Sequence, residues 1–277
     1  MPITYDITHT TTYRYAQPVR FGEHRVMFRP RDSHDLRVLA TDLQVTPEAS
    51  VRLIQDPHSN SIALVQPLQP ANTLQIVCSF RIEHAHSLNL ELPLAPSAEH
   101  FPFAYSVDER FDLEPYLRPH YDDPEGQLTA WARQFIRTDG PTGTRDLLVQ
   151  MNQRIRNEFT YAARDDEGTQ DPLRTLELRS GSCRDFALLM MEAARRLGIA
   201  ARFVSGYLYD PALDATLTTT GATGEEPPTD APPPTQGAGA THAWVKVYLP
   251  GAGWLPFDPT NNLLGGSQLL RVAVARD

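Results

Sequence analysis

The sequence predicts an α+β protein, with an N-terminal antiparallel β-sandwich-like domain followed by a core of helices and antiparallel sheet. Two observations carry this expectation. Residues 1 to about 95 read as short strand-like runs separated by turn residues, whereas apolar positions at helical spacing begin only near residue 126. Proline, at 24 of 277 residues, exceeds the usual share of about 5% and favours strands and loops over long bundled helices.

The N-terminal domain, residues 1–95, opens with ITYDITHTTTYRY, in which Ile3, Tyr5 and Ile7 share one strand face. HRVMFRP, LRVLATDLQVTP, NSIALVQPL and NTLQIVCSFRIEHAH follow, each bounded by Pro, Asp, Asn or Ser. In the last of these Leu74, Ile76, Cys78 and Phe80 fall on one face, which makes Cys78 a core residue. Residues 96–125 are rich in Pro, Asp and Tyr and read as a surface linker.

The core, residues 126–277, begins with GQLTAWARQFIRTDG and GTRDLLVQMNQRIRNEF, whose apolar positions repeat at helical spacing. A third helix is the best defined. In GSCRDFALLMMEAARRLG, residues Phe186, Leu189, Met190, Ala193, Ala194 and Leu197 form one broad apolar face. Ser182 is placed to cap its start, Arg195 and Arg196 suit its negative end, and Gly198 can close it. The runs IAARFVSGYLYD, THAWVKVYLP and GWLPFDPTNN then read as strands. Between the first two lies a Thr-, Gly-, Pro- and acid-rich insertion, about residues 213–240, with too little apolar surface to order itself, and it leads directly into His242.

Composition removes several function classes. A formal net charge of −9 without any long Lys/Arg run argues against nucleic-acid binding. No apolar stretch approaches the ~20 residues that span a bilayer. The first residues lack a basic region followed by an apolar run, so no signal peptide is expected and the cytoplasm is the expected compartment. Cys78 and Cys183 form neither a disulfide framework nor a Cys-x-x-Cys metal pattern, and both are expected to be free thiols.

Three residues carry the candidate chemistry. Cys183 stands at a helix start, where unpaired N–H groups and the helix dipole stabilise a thiolate and could also hold an oxyanion. His242 opens a strand and could serve as general base toward that thiol. Asp258 ends the next strand; if the two strands pair across Gly251-Ala252-Gly253, its carboxylate can approach His242 and fix the imidazole. Singly, each has an ordinary explanation: a buried structural thiol, one of nine histidines, a turn-forming Asp before Pro. Among the other candidates, His84 and His86 lie two apart on a strand without a third ligand, Asp185 reads as structural support for the helix start, and Trp244 and Trp254 could wall an acyl site.

The blocks TQDPLRTLELRSG, GSCRDFALLMMEAARRLGIAARFVSGYL and THAWVKVYLPGAGWLPFDPTNN resemble the transglutaminase-like core of bacterial proteins, and the N-terminal strands resemble the small β domain that precedes it. The resemblance implies a papain-like core with Cys183, His242 and Asp258 as a catalytic triad. The animal cross-linking enzymes carry Gly-Gln-Cys-Trp around the nucleophile, whereas this chain has Gly181-Ser182-Cys183-Arg184, and no EF-hand-type acidic loop is visible. The implied activity is therefore cysteine-dependent acyl transfer from an amide, with hydrolysis as a protease or amidase favoured over transfer to an amine. Its implied partners are a peptide or protein substrate and, for transfer, a primary amine, with no cofactor or metal. The contrasting expectation is an inactive member of the family kept as a binding or scaffold protein.

Overall fold

Six antiparallel strands build the N-terminal part: β1 (Ile3–Val19), β2 (His24–Arg29), β3 (Leu36–Thr46), β4 (Ala49–Gln55), β5 (Ser61–Pro67) and β6 (Ala71–His84). They form two three-stranded sheets in the orders β1-β6-β3 and β2-β5-β4. The period of two along β6 explains the packing. Leu74, Ile76, Cys78, Phe80 and Ile82 are all buried, and Leu74, Ile76 and Cys78 meet Phe28, Ala63 and Val65 from the other sheet. The sandwich-like arrangement is as the sequence predicts. β4 is the strand that sequence patterning does not isolate: most of its residues are exposed, so ASVRLIQ shows no buried stripe. Cys78 is the core residue expected, and burial pushes its thiol up to about 11.

This computed structural model describes residues 2–85, 93–164, 166–211, 235–237, 239–266 and 268–276. The chain divides into two units, Met1–Ser87 with Arg271–Val274 and Leu88–Leu270 with Ala275–Asp277. His86 lies outside the described residues, as does most of the 213–240 insertion. Among the described residues no group of three His, Cys, Asp or Glu side chains is placed to hold a metal, and no helix is long and apolar enough to cross a membrane.

The second unit opens with the short strand β7 (His100–Phe101), which pairs with β8 (Thr142–Gly143). Between them lie α1 (Val107–Leu117) and α2 (Gln127–Arg133). Residues 96–125, expected as a linker, thus belong to this unit and contain a helix. Its cause is local: the Ser106 side chain accepts the Glu109 N–H, and Glu109 Oε2 accepts the Ser106 N–H in return. Then come α3 (Thr144–Glu158), β9 (Thr160–Tyr161), α4 (Pro172–Leu178), β10 (Ser180–Gly181) and α5 (Cys183–Arg196). The unit continues with β11 (Ala201–Leu208), β12 (Thr241–Leu249), β13 (Gly253–Asp258) and β14 (Leu263–Leu264), paired in the order β14-β13-β12-β11, and the last strand of the chain is β15 (Leu269–Ala275), whose residues 271–274 fall in the first unit.

Helix α5 is the centre of this unit. Phe186, Leu188, Leu189, Met190, Met191, Ala193 and Ala194 are buried against α2, α3 and the β12–β13 strands. Truncating a core leucine such as Leu189 to alanine would cost about 2–5 kcal/mol. Arg195, expected only to complement the helix end, is instead fully buried. It pairs with Glu192 at 2.9 Å and donates to the carbonyls of Tyr116 and Ala201. Glu192 also accepts the N–H groups of His120 and Tyr121, so the polar end of α5 ties down the segment after α1. The result is a helix anchored at its C-terminal end, with its first residue packed against Ala243 of β12.

Candidate active site

Cys183 is the first residue of α5, and the capping predicted at Ser182 is present in a particular form. The Asp185 carboxylate accepts from the Ser182 N–H at 2.8 Å and from Ser182 Oγ at 2.9 Å. Its other oxygen accepts from Arg164 Nη1 at 2.8 Å and from the Gln170 N–H at 2.6 Å. Asp185 is wholly buried. Burial alone would push its pKa up. The bonds from Gln170 and Ser182 and the charge of Arg164 outweigh that and hold it below the usual carboxylate range. Gly181 is required beside it, because a Cβ there would lie 2.8 Å from Asp185 Cβ. Asp185 is the support the sequence implies, but Arg164 and Gln170 are partners that no spacing rule reveals.

The parallel pair β9–β10 sets Tyr161 beside Gly181, and the Ala162 N–H donates to the Gly181 carbonyl. Tyr161 is thereby brought beside Cys183. Its hydroxyl pKa is raised, first by burial and then by negative charge at Cys183. Cys183 packs with Ala187 and Ala243, flanked by Tyr161 and Phe203. A cleft of about 360 Å³ opens here, and both Cys183 and His242 line it.

His242 is positioned by β12, with β11 on one side and β13 on the other. Gly206 stands opposite it on β11. The β12–β13 pairing across Gly251-Ala252-Gly253, conditional in the sequence, exists and sets Val245 opposite Phe257. Asp258 thus reaches the same face as His242 on the diagonal, within side-chain range. His242 Nε2 lies 2.9 Å from Asp258 Oδ2, and both side chains are fully buried. The second Asp258 oxygen accepts the Thr260 N–H at 2.9 Å, and Asn261 Nδ2 donates to Oδ2 at 2.9 Å. Asn261 was not apparent from the sequence, although Asx-type bonding after an Asp-Pro step is a local signal that could have pointed to it.

The other ring nitrogen, His242 Nδ1, is buried without a hydrogen-bond partner among the described residues. Burial would lower the pKa of this ring. The Asp258 bond, the Cys183 side chain and the negative charge on both outweigh it and raise the pKa from 6.5 to about 9. The surroundings of the ring thus favour its protonated form. Neither tryptophan that could have walled an acyl site lines the cleft, and Trp244 is the core residue that its type usually is. Trp244 stacks at 6.2 Å on His242 from within the core, and the Arg202 guanidinium covers the Trp254 ring at 4.0 Å, away from the cleft.

An α+β unit that presents a cysteine at a helix start, facing a strand-borne histidine with a carboxylate behind it, is the fold of a cysteine enzyme. Residues 129–259 match the transglutaminase-like superfamily, and residues 5–83 match the bacterial transglutaminase-like N-terminal region. The chain belongs to the transglutaminase-like superfamily. Its sequence relatives include the uncharacterized protein Rv2569c of Mycobacterium tuberculosis H37Rv, 27% identical over 99% of this chain and 83% of the relative. The uncharacterized protein ML0607 of Mycobacterium leprae is 26% identical over 98% of this chain and 88% of its own length. Among solved structures, a candidate cysteine protease from Cytophaga hutchinsonii covers the whole chain and 83% of its own, with a TM-score of 0.71 and 19% identity, and shares the fold.

Proposed function

We propose that this chain is a cysteine-dependent acyl-transfer enzyme acting on amide bonds. In this reading Cys183 is the nucleophile, His242 the acid–base residue and Asp258 the group that orients it. The observation that carries the reading is the His242 ring itself. One nitrogen is engaged by a buried carboxylate at 2.9 Å, the other makes no hydrogen bond among the described residues, and the residue lines one cleft with Cys183.

The chemistry then runs in two halves. The Cys183 thiolate attacks the amide carbonyl, and the helix-start N–H groups face the developing oxyanion. Collapse of the tetrahedral species breaks the C–N bond. The His242 imidazolium gives its proton to the departing amine, leaving a thioester on Sγ and a neutral ring. That ring takes a proton from the acceptor as it attacks the thioester, and the thiolate is released. Water as acceptor gives hydrolysis, and a primary amine gives transfer. Hydrolysis is the favoured outcome, because the Gln and Trp that flank the nucleophile in the animal cross-linking enzymes are replaced by Ser182 and Arg184. The substrate class is a peptide or protein amide.

The test is the pH dependence of iodoacetamide alkylation at Cys183, read by peptide mass spectrometry in wild type and His242→Ala. Rapid labelling well below the ordinary thiol pKa of about 8.5, slowed by the histidine change, is the expected result. Labelling no faster than an ordinary thiol and indifferent to His242 would overturn the reading in favour of an inactive binding protein.

A further inference from the structure

The charged side chains that line the cleft, His242 aside, are both arginines, Arg164 and Arg184, in a chain whose formal net charge is −9. No carboxylate lines it among the described residues. The two arginines differ in how their charge is met. Arg164 is committed to the protein: Nη1 lies 2.8 Å from the buried Asp185 and Nε lies 3.5 Å from Asp166. Arg184 is held by neutral groups instead. Its Nη2 donates to the backbone carbonyls of Arg164 at 3.3 Å and Asp166 at 3.4 Å, and among the described residues no carboxylate is within ion-pair distance of it. Carbonyl oxygens fix the direction of a guanidinium without cancelling its charge, and the remaining donors keep the planar fork that matches a carboxylate. Tyr161 and Phe203 supply apolar surface in the same cleft.

We infer that Arg184 is a specificity residue that selects amide substrates bearing a carboxylate close to the reacting carbonyl, such as acidic peptides. This rests on the acyl-transfer reading of Cys183. A cation adjacent in sequence to the nucleophile concentrates anionic substrates in the cleft and orients the carboxylate, while the aromatic pair takes the carbon stem.

Two probes that differ only in carboxylate against carboxamide test this: iodoacetate and iodoacetamide. Each forms a carbon–sulfur bond at Sγ and expels iodide, so their rate ratio at Cys183 reports the field that an anionic substrate meets. Arg184→Gln is expected to lower the iodoacetate-to-iodoacetamide ratio about fivefold, the size of effect one nearby charge has in a partly solvated cleft. Arg184→Lys should retain most of the ratio, which cancels any change in the reactivity of the thiol itself. A ratio unmoved by Arg184→Gln, with rapid iodoacetamide labelling intact, overturns this inference and leaves the acyl-transfer reading standing. Slow labelling of wild-type Cys183 by both reagents overturns both. Should Arg184→Gln not fold, the salt dependence of the wild-type ratio decides: it must fall as ionic strength is raised from about 0.05 to about 0.5 M, and a ratio indifferent to salt refutes the inference.

Discussion

His242 Nε2 and Asp258 Oδ2 are 2.9 Å apart on two adjacent antiparallel strands, with both side chains sealed from solvent. A buried carboxylate at that distance engages one imidazole nitrogen and favours the protonated ring. Asp258→Asn keeps the shape and removes the charge. On the acyl-transfer reading, Cys183 alkylation at pH 6 is expected to slow by about tenfold or more, because the ring loses the carboxylate that orients it and favours its protonated form. The same rate in wild type and Asp258→Asn would mean that Asp258 is only a turn residue.

The raised pKa of His242 has a defined pH signature. Its folded-state value of about 9 lies above the ordinary 6.5, so the protonated form is the one folding favours. The stability it contributes is fully present below about 6.5 and is lost as pH rises through about 9. NMR titration of the His242 ring should give a midpoint near 9 in wild type and a lower one in Cys183→Ala, since Cys183 is one of the groups that raise it. Turnover that needs the imidazolium as acid should decline along the same alkaline limb. A ring midpoint near 6.5 in wild type would contradict the arrangement.

Much of this was legible because it is local. The apolar face of α5, the Ser182 start and the alternation along β6 are each written in a window of a dozen residues, so periodicity exposes them. The helix Val107–Leu117 was equally local, in the Ser106–Glu109 box, but the Pro- and Asp-rich composition around it concealed the signal. What sequence alone could not reach is the long-range polar network. Arg164 meets Asp185 across 21 positions, and Asn261 meets Gln236 across 25. Such bonds follow from how strands and loops are brought together, and no residue-type pattern encodes them. The partly exposed β4 escaped for the opposite reason, having little buried stripe to reveal.

Asp185 holds the helix start at Cys183, the Gln170 loop and Arg164 together through one buried carboxylate. Asp185→Ala would leave the Ser182 and Gln170 donors and a mostly buried guanidinium without their acceptor. The expected loss is about 3 kcal/mol, visible as a lower denaturation midpoint in urea. Because the folded-state pKa of Asp185 is depressed, its contribution is present above the unfolded value of about 3.9 and is lost as pH falls through the lower folded value. Wild type should therefore lose more stability than Asp185→Ala on acidification below pH 4. Equal acid sensitivity in the two would remove Asp185 from this role.

The residues just before β12 bear directly on the histidine. The Thr235 N–H and hydroxyl both bond Asp210 Oδ2, at 2.7 and 2.6 Å. The Gln236 N–H donates to Asn261 Oδ1 at 3.0 Å, while Asn261 Nδ2 donates to the Gln236 carbonyl and to Asp258. These bonds bring Gly237, at φ +85°, against the imidazole, where an added Cβ would lie 2.9 Å from Nδ1. Gly237→Ala places a methyl group against the nitrogen that Asp258 leaves unbonded, in a backbone conformation that costs alanine about 1–2 kcal/mol. Cys183 alkylation near neutral pH should slow several-fold in Gly237→Ala, with only a small loss of thermal stability. Asn261→Ala, which frees the same strap and one Asp258 oxygen, should also slow it and should lower the His242 ring midpoint. If Gly237→Ala labels at the wild-type rate, the strap yields and the ring does not, and residues 235–237 have no hold on the chemistry.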